Sequence, residues 1–195
     1  EDLHYAGVHV PVGRLRAEDF QDIAALAERH GDGSVRLTED QNVIFTGIAS
    51  AQLQAFEAEP LLQRFSLHPS HIAAGTVSCT GNTYCSFALT NTKDQALAAA
   101  EALDRELVLP EELKIHWTGC PNTCGQAYMG AIGLTGTKTK QPDGGMGEGY
   151  NLTIGGSQGA NPQVGELHRK GIPASEIQAV LKEVLIEQFG AKPRS

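Results

Sequence analysis

Cys79, Cys85, Cys120 and Cys124 are the only cysteines among the chain's 195 residues. They form two pairs, CTGNTYC and CPNTC, with spacings C-x5-C and C-x3-C. A thiolate is a soft metal ligand and a disulfide precursor, so two close pairs point to a disulfide, a zinc tetrad or an iron–sulfur cluster. Disulfides suit small secreted domains, and nothing at the start of this chain resembles an export signal. Structural zinc usually uses tighter C-x2-C knuckles, which neither pair has. A [4Fe–4S] cluster takes four thiolates and tolerates varied spacing. Spacing alone leaves all three chemistries open.

The surroundings favour the cluster. Residues 76–93 and 114–142 contain no Asp or Glu, in a chain that carries 23 acids. Four thiolates on a cluster leave excess negative charge, and nearby carboxylates would raise the cost of reducing it. Small residues beside the sulfurs (Thr80, Gly81, Asn82, Gly119, Asn122, Gly125) let backbone N–H groups approach and donate. The same residues also make ordinary loops, and the two readings are compatible. A helix starting near Pro121 would add a favourable N-terminal dipole.

The elements that must position these residues follow from periodicity. Alternation predicts strands over 4–12, 34–37 and 42–45, with a helix over 17–30 whose apolar face is Phe20, Ile23, Ala24 and Ala27. A short helix is expected over 50–56. Thr92 and Gln95 read as a capping box for a helix over 92–107, and 114–117 reads as a strand leading into the second pair. Short strands are expected over 132–134 and 151–154, with 141–149 between them as a glycine-rich loop. A last helix carries Ile177, Val180, Leu181, Val184, Leu185 and Phe189, and Gly190 stops it. Apolar residues make up 41%, enough for a real core, and no apolar run reaches membrane-spanning length. The net charge of −8 argues against a general nucleic-acid binder. The chain thus reads as soluble and intracellular.

SCTGNTYC together with IHWTGCPNTCGQ resembles the ferredoxin-dependent assimilatory nitrite reductases, within the sirohaem nitrite and sulfite reductase family. GVHVPVGRL…VRLTEDQNVI is similar to the ferredoxin-like half-repeat that precedes the cluster domain there. The resemblance implies an α+β fold: a half-repeat over 1–66, then an α/β sirohaem- and [4Fe–4S]-binding domain over 67–195. It further implies that all four cysteines ligate the cluster and that Cys124 also bridges to the sirohaem iron. Ferredoxin would donate electrons for six-electron reduction of nitrite to ammonium, in the cytoplasm or a plastid stroma. CTG looks like the nitrite branch, whereas CGQAYMG has some sulfite-branch flavour. A sulfite reductase portion and a haem-free iron–sulfur carrier are the alternatives.

Arg36, Thr38, Gln41 and Asn42 form a polar turn, which an ordinary loop equally explains and which in this family context would point toward sirohaem carboxylates. Lys138 and Lys140 would help dock an acidic ferredoxin. His9, His116 and Trp117 read first as packed strand residues. The family's second motif has an acid after six residues that follow its last cysteine, and Ala131 stands there instead. The resemblance also implies a missing N-terminal half that carries most of the cationic groups for nitrite and sirohaem. The isolated chain is therefore not expected to reduce nitrite, and its half-repeat is expected to expose apolar strand.

Overall fold

Alternation near the N-terminus produces β1 (Leu3–Val8) in the computed structural model, which describes residues 2–194. Glu1 and Ser195 lie outside the described residues. The strand ends before the expected residue 12 because Pro11 and a left-handed Val12 (φ 48°) turn the chain through a single 3-10 turn, Pro11–Gly13. Helix α1 occupies Ala17–His30, as expected, but is rotated from the expected face. Asp19, Ile23, Leu26, Ala27 and His30 point inward, while Phe20 and Ala24 face solvent. Asp19 drives that rotation: its carboxylate accepts the Arg16 backbone N–H (2.7 Å) and pairs with the Arg64 guanidinium.

β2 (Val35–Leu37) and β3 (Val43–Ala49) follow, then α2 (Leu53–Glu57). The antiparallel sheet has the order β1-β3-β2. Val8, Ile23, Leu26, Val43, Phe45, Ile48 and Phe56 fill its core. Both edge strands carry exposed apolar side chains, Leu3 and Tyr5 on β1, Val35 and Leu37 on β2. These residues belong to the first of two compact units, 1–69 and 70–195.

The second unit opens with α3 (His71–Gly75), capped by Ser70, whose side chain accepts the Ala73 N–H. β4 (Thr76–Ser78), α4 (Thr92–Glu106), β5 (Leu107–Val108) and β6 (Ile115–Thr118) make a strand–helix–strand crossover. β7 (Ile132–Lys140), β8 (Met146–Ile154) and β9 (Glu166–Pro173) complete a five-stranded sheet in the order β4-β6-β7-β8-β9. The first three strands in that order are parallel and the rest antiparallel. One sheet face is apolar: Ile115, Trp117, Ile132, Leu134, Tyr150 and Leu152 are all buried, and α4 packs on β4 and β6. Helix α5 (Ile177–Phe189) buries the expected stripe from Ile177 to Leu185, and Gly190 (φ 68°) stops it in the left-handed region. β10 (Lys192–Pro193) pairs with β5.

Three local expectations are corrected. The cap of α4 is Asn91, whose side chain accepts the Asp94 N–H, and not Thr92 with Gln95. The loop expected over 141–149 shrinks to a turn closed by Gln141 N–H on the Gly145 carbonyl (2.7 Å), and residues from Met146 onward extend a long β7–β8 hairpin. No helix starts near Pro121, so a helix dipole does not contribute there. No helix of the described residues is long and apolar enough to cross a membrane.

Three carboxylates in the first unit sit below the usual carboxylate range, among them Asp32, held down by the Ser34 backbone N–H and the Thr46 hydroxyl. Asp19 is lowered first by the Arg16 backbone N–H and also by Arg64, Glu59 by hydrogen bonds from His30 and Arg29. A lowered folded value means that the unfolded chain binds the proton more readily, so the stabilisation is complete above the unfolded value of about 4 and is lost as pH falls through the folded one. Urea unfolding from about pH 6 to about pH 2 is expected to show this acid loss, and Asp19→Asn is expected to lower stability at neutral pH and flatten the acid limb. An acid limb of unchanged steepness in Asp19→Asn would remove Asp19 from this account.

Candidate functional site

The parallel pairing of β4 with β6 brings the two cysteine pairs to one end of the sheet. Ser78 is opposite Trp117 in the register, and the ladder continues one step further as Cys79 N–H donates to the Trp117 carbonyl (3.0 Å). Cys79 therefore begins the loop leaving β4, and Gly119 and Cys120 begin the loop leaving β6. Open α/β sheets generally bind ligands outside the carboxyl ends of parallel strands, and both loops rise from such ends.

The first loop, 79–91, folds tightly on itself. Cys85 N–H donates to the Gly81 carbonyl (3.1 Å) and Asn82 N–H to the Thr90 carbonyl (3.0 Å). Buried Thr92 ties its base down, with Oγ1 donating to the Cys79 carbonyl (2.7 Å) and lying 3.6 Å from Cys79 Sγ. The second loop docks against the first. Leu89 N–H donates to the Gly119 carbonyl (2.6 Å), and Gly119 N–H donates to Cys79 Sγ (3.1 Å). A backbone N–H aimed at a thiolate stabilises its charge and tunes any centre it ligates.

Cys124 sits in an unusual stretch of backbone. Thr123 (φ 54°) and Gln126 (φ 55°) on either side are both left-handed, a costly conformation for a β-branched residue such as threonine. The turn is held by Thr123 N–H on the Cys120 carbonyl (3.2 Å) and Gln126 N–H on the Thr123 carbonyl (2.7 Å). Gly125 is buried where the loops meet: a Cβ there would lie 2.1 Å from the Trp117 carbonyl oxygen and 3.3 Å from Cys79 N. Cys124 is consequently exposed, Cys120 is buried, and Cys79 and Cys85 are half-buried.

All four thiols are free. Among the described residues no three His, Cys, Asp or Glu side chains converge closely enough to hold a single metal ion. A mononuclear zinc tetrad is thus not preformed among them, whereas a polynuclear cluster engages each thiolate through its own iron around a larger volume. The donor set is all thiol, with the Gly119 backbone N–H on Cys79 Sγ and no acid within either loop, which fits a cluster.

His116 and Trp117 are core residues. His116 Nδ1–H donates to the Gln126 carbonyl (3.2 Å), bracing the second loop, and Trp117 stacks edge-on to Tyr150 with ring centroids 5.1 Å apart. Burial pushes the Tyr150 phenol well above its usual range, so it stays neutral. His9 is buried against Asn42 Oδ1 (3.2 Å). Arg36, Thr38, Gln41 and Asn42 lie in the first unit and the cysteines in the second. Thr38 Oγ1 accepts the Asn42 N–H (3.0 Å), and Asn42 Oδ1 accepts the Val10 N–H (2.9 Å), so both residues build the turn itself. Gln41 is left-handed (φ 65°) and Arg36 is exposed on β2. Lys138 and Lys140 are exposed on β7.

Comparison with known proteins places these features in context. Residues 1–62 match the nitrite/sulfite reductase ferredoxin-like half domain, and residues 74–190 match the nitrite and sulphite reductase 4Fe-4S domain. A ferredoxin–nitrite reductase of Synechococcus elongatus is 50% identical over 193 residues, 99% of this chain and 38% of that protein. A chloroplastic ferredoxin–nitrite reductase of Zea mays is 41% identical over 196 residues, 100% of this chain and 34% of its own length. The chain thus spans about a third of the length of the curated relatives it matches. The Mycobacterium tuberculosis NirA protein superposes with a TM-score of 0.89 over 96% of this chain and 36% of its own, at 23% identity, a likeness of fold.

Gly125 offers a direct test of how the two loops meet. Gly125→Ala is expected to force the Trp117 carbonyl and Cys79 apart and to destabilise the chain by about 1–3 kcal/mol, the usual cost of overpacking. Chemical unfolding measures it, and a stability equal to the parent's would contradict the close approach.

Proposed function

The chain belongs to the nitrite and sulphite reductase 4Fe-4S domain family, and on that premise we propose that it is the cofactor-holding C-terminal portion of a ferredoxin–nitrite reductase. The observation that carries this reading is the docking of the two cysteine loops at the carboxyl ends of β4 and β6, with Gly119 N–H on Cys79 Sγ. Cys79, Cys85, Cys120 and Cys124 would hold a [4Fe–4S] cluster, and Cys124, the exposed member, would also help hold sirohaem. When bound, the two cofactors supply electron transfer and the iron at which nitrite undergoes six-electron reduction to ammonium.

The chain's own residues do the positioning. Gly119 and the acid-free loops keep the thiolates electrostatically stabilised. The left-handed residues around Cys124 turn its sulfur outward, and His116 braces the carbonyl of Gln126 behind it. In the first unit, Arg36 would supply a cation to the sirohaem carboxylates while Thr38, Gln41 and Asn42 shape the turn beside it. Lys138 and Lys140 would meet acidic ferredoxin. The exposed apolar edges of β1 and β2, and the third of the relatives' length that the chain covers, support a reading in which another portion completes the enzyme.

Anaerobic reconstitution with ferrous iron and sulfide tests the assignment. Equal iron and sulfide at the [4Fe–4S] complement with broad brown absorbance is expected, and replacing any one cysteine by serine is expected to lower that yield. In the complete enzyme, Cys124→Ser is expected to remove sirohaem's visible bands as well. One zinc and no iron in the purified protein would end the cluster reading.

A further inference from the structure

The loops around the cysteines contain no acid, yet one carboxylate is brought to them from elsewhere in the chain. Glu148 lies on β8, near the turn of the long β7–β8 hairpin, and both its oxygens are occupied. Oε1 accepts from Asn82 Nδ2 (2.7 Å), and Oε2 accepts from the Asn91 backbone N–H (2.9 Å) and from Gln95 Nε2 (2.9 Å). Its backbone carbonyl accepts from Gln141 Nε2 (3.0 Å), which fixes the strand at that point.

The donors are placed informatively. Asn82 lies midway between Cys79 and Cys85. Asn91 caps α4 and immediately precedes Thr92, the residue whose hydroxyl donates to the Cys79 carbonyl. Glu148 therefore grips the loop 79–91 between its two cysteines and at its exit, and holds both points to one strand. Hydrogen bonds to an ionised acceptor are roughly twice as strong as neutral ones, and a carboxylate at a helix N-terminus is further favoured by the dipole. Its charge is met by three N–H donors on the side of the loop that joins α4.

We propose that Glu148 is a positioning residue, the clamp that holds the first cysteine loop, and with it Cys79 and Cys85, in place for cofactor binding. The redox arm of this proposal rests on the cluster reading given above. The thiol arm does not.

The thiol arm uses the 195-residue chain without cofactor, alkylated with iodoacetamide and followed for each cysteine by mass spectrometry. In Glu148→Ala, Cys85 is expected to react about tenfold faster, the scale on which loss of a charge-assisted hydrogen bond shifts a local opening equilibrium. Cys124, on the other loop and already exposed, keeps its rate. Glu148→Gln retains one acceptor oxygen and is expected to restore most of the protection. Asn82→Ala removes a single arm of the clamp and is expected to raise the Cys85 rate alone; it decides the matter should Glu148→Ala fail to fold, as judged by circular dichroism. In the reconstituted chain, Glu148→Gln is expected to move the reduction potential positive, because a negative charge near the thiolates is gone. An unchanged ratio of Cys85 to Cys124 reactivity in both Glu148→Ala and Asn82→Ala overturns the clamp. If the parent chain takes up no iron, the cluster reading fails, and the thiol arm still decides the clamp.

Discussion

The site depends on the register of one short parallel pairing. β4 contributes three residues and β6 four, and the match of Ser78 with Trp117 is what lets the next N–H, that of Cys79, close on the Trp117 carbonyl. Side chains alternate across a sheet, so a slip of one residue would turn Trp117 from the apolar face and carry Cys79 out of reach of Gly119 N–H. The crossover through α4 and the burial of Ile115, Trp117 and Val77 hold that register. Everything that distinguishes the cysteine loops rests on this alignment.

Around it, the protein handles negative charge by geometry. The two cysteine loops exclude acids and present backbone N–H groups, a Gly119 N–H reaching Cys79 Sγ directly. The acid that does approach, Glu148, is saturated by donors from the loop and from α4. The first unit follows the same logic around Asp19, a buried carboxylate with a backbone N–H and a guanidinium. In each case the charged group acts as a tie between segments distant in sequence.

Much of the fold was legible from periodicity. α1 spans its expected residues, and α4 ends one residue before the expected limit. The face of α1 was not legible, because Asp19 turns inward for partners at Arg16 and Arg64 that no pattern of apolar residues reveals. The turn-rich composition of QPDGGMGEG hid the end of a long hairpin between two interior strands, and β9 lacks the alternation that marks a strand. At the site, cysteine spacing and acid-poor flanks were readable, and their meeting at one sheet end follows from the parallel pairing. Glu148 was not, since its partners lie more than fifty residues away, and a lone Glu in a glycine-rich stretch carries no signal. The left-handed Thr123 was equally hidden, as threonine is a poor marker of that conformation.

Trp117 gives this arrangement an optical side. It is the chain's only tryptophan, fully buried, and its carbonyl is the point where Cys79 docks and beside which Gly125 passes. Its indole lies edge-on to Tyr150, two strands away on β8. Ultraviolet-excited emission at long wavelength therefore originates at the seam between the two cysteine loops and nowhere else. An absorbing centre seated on those loops would drain that emission by energy transfer, making the seam a built-in lamp whose brightness records what the loops hold.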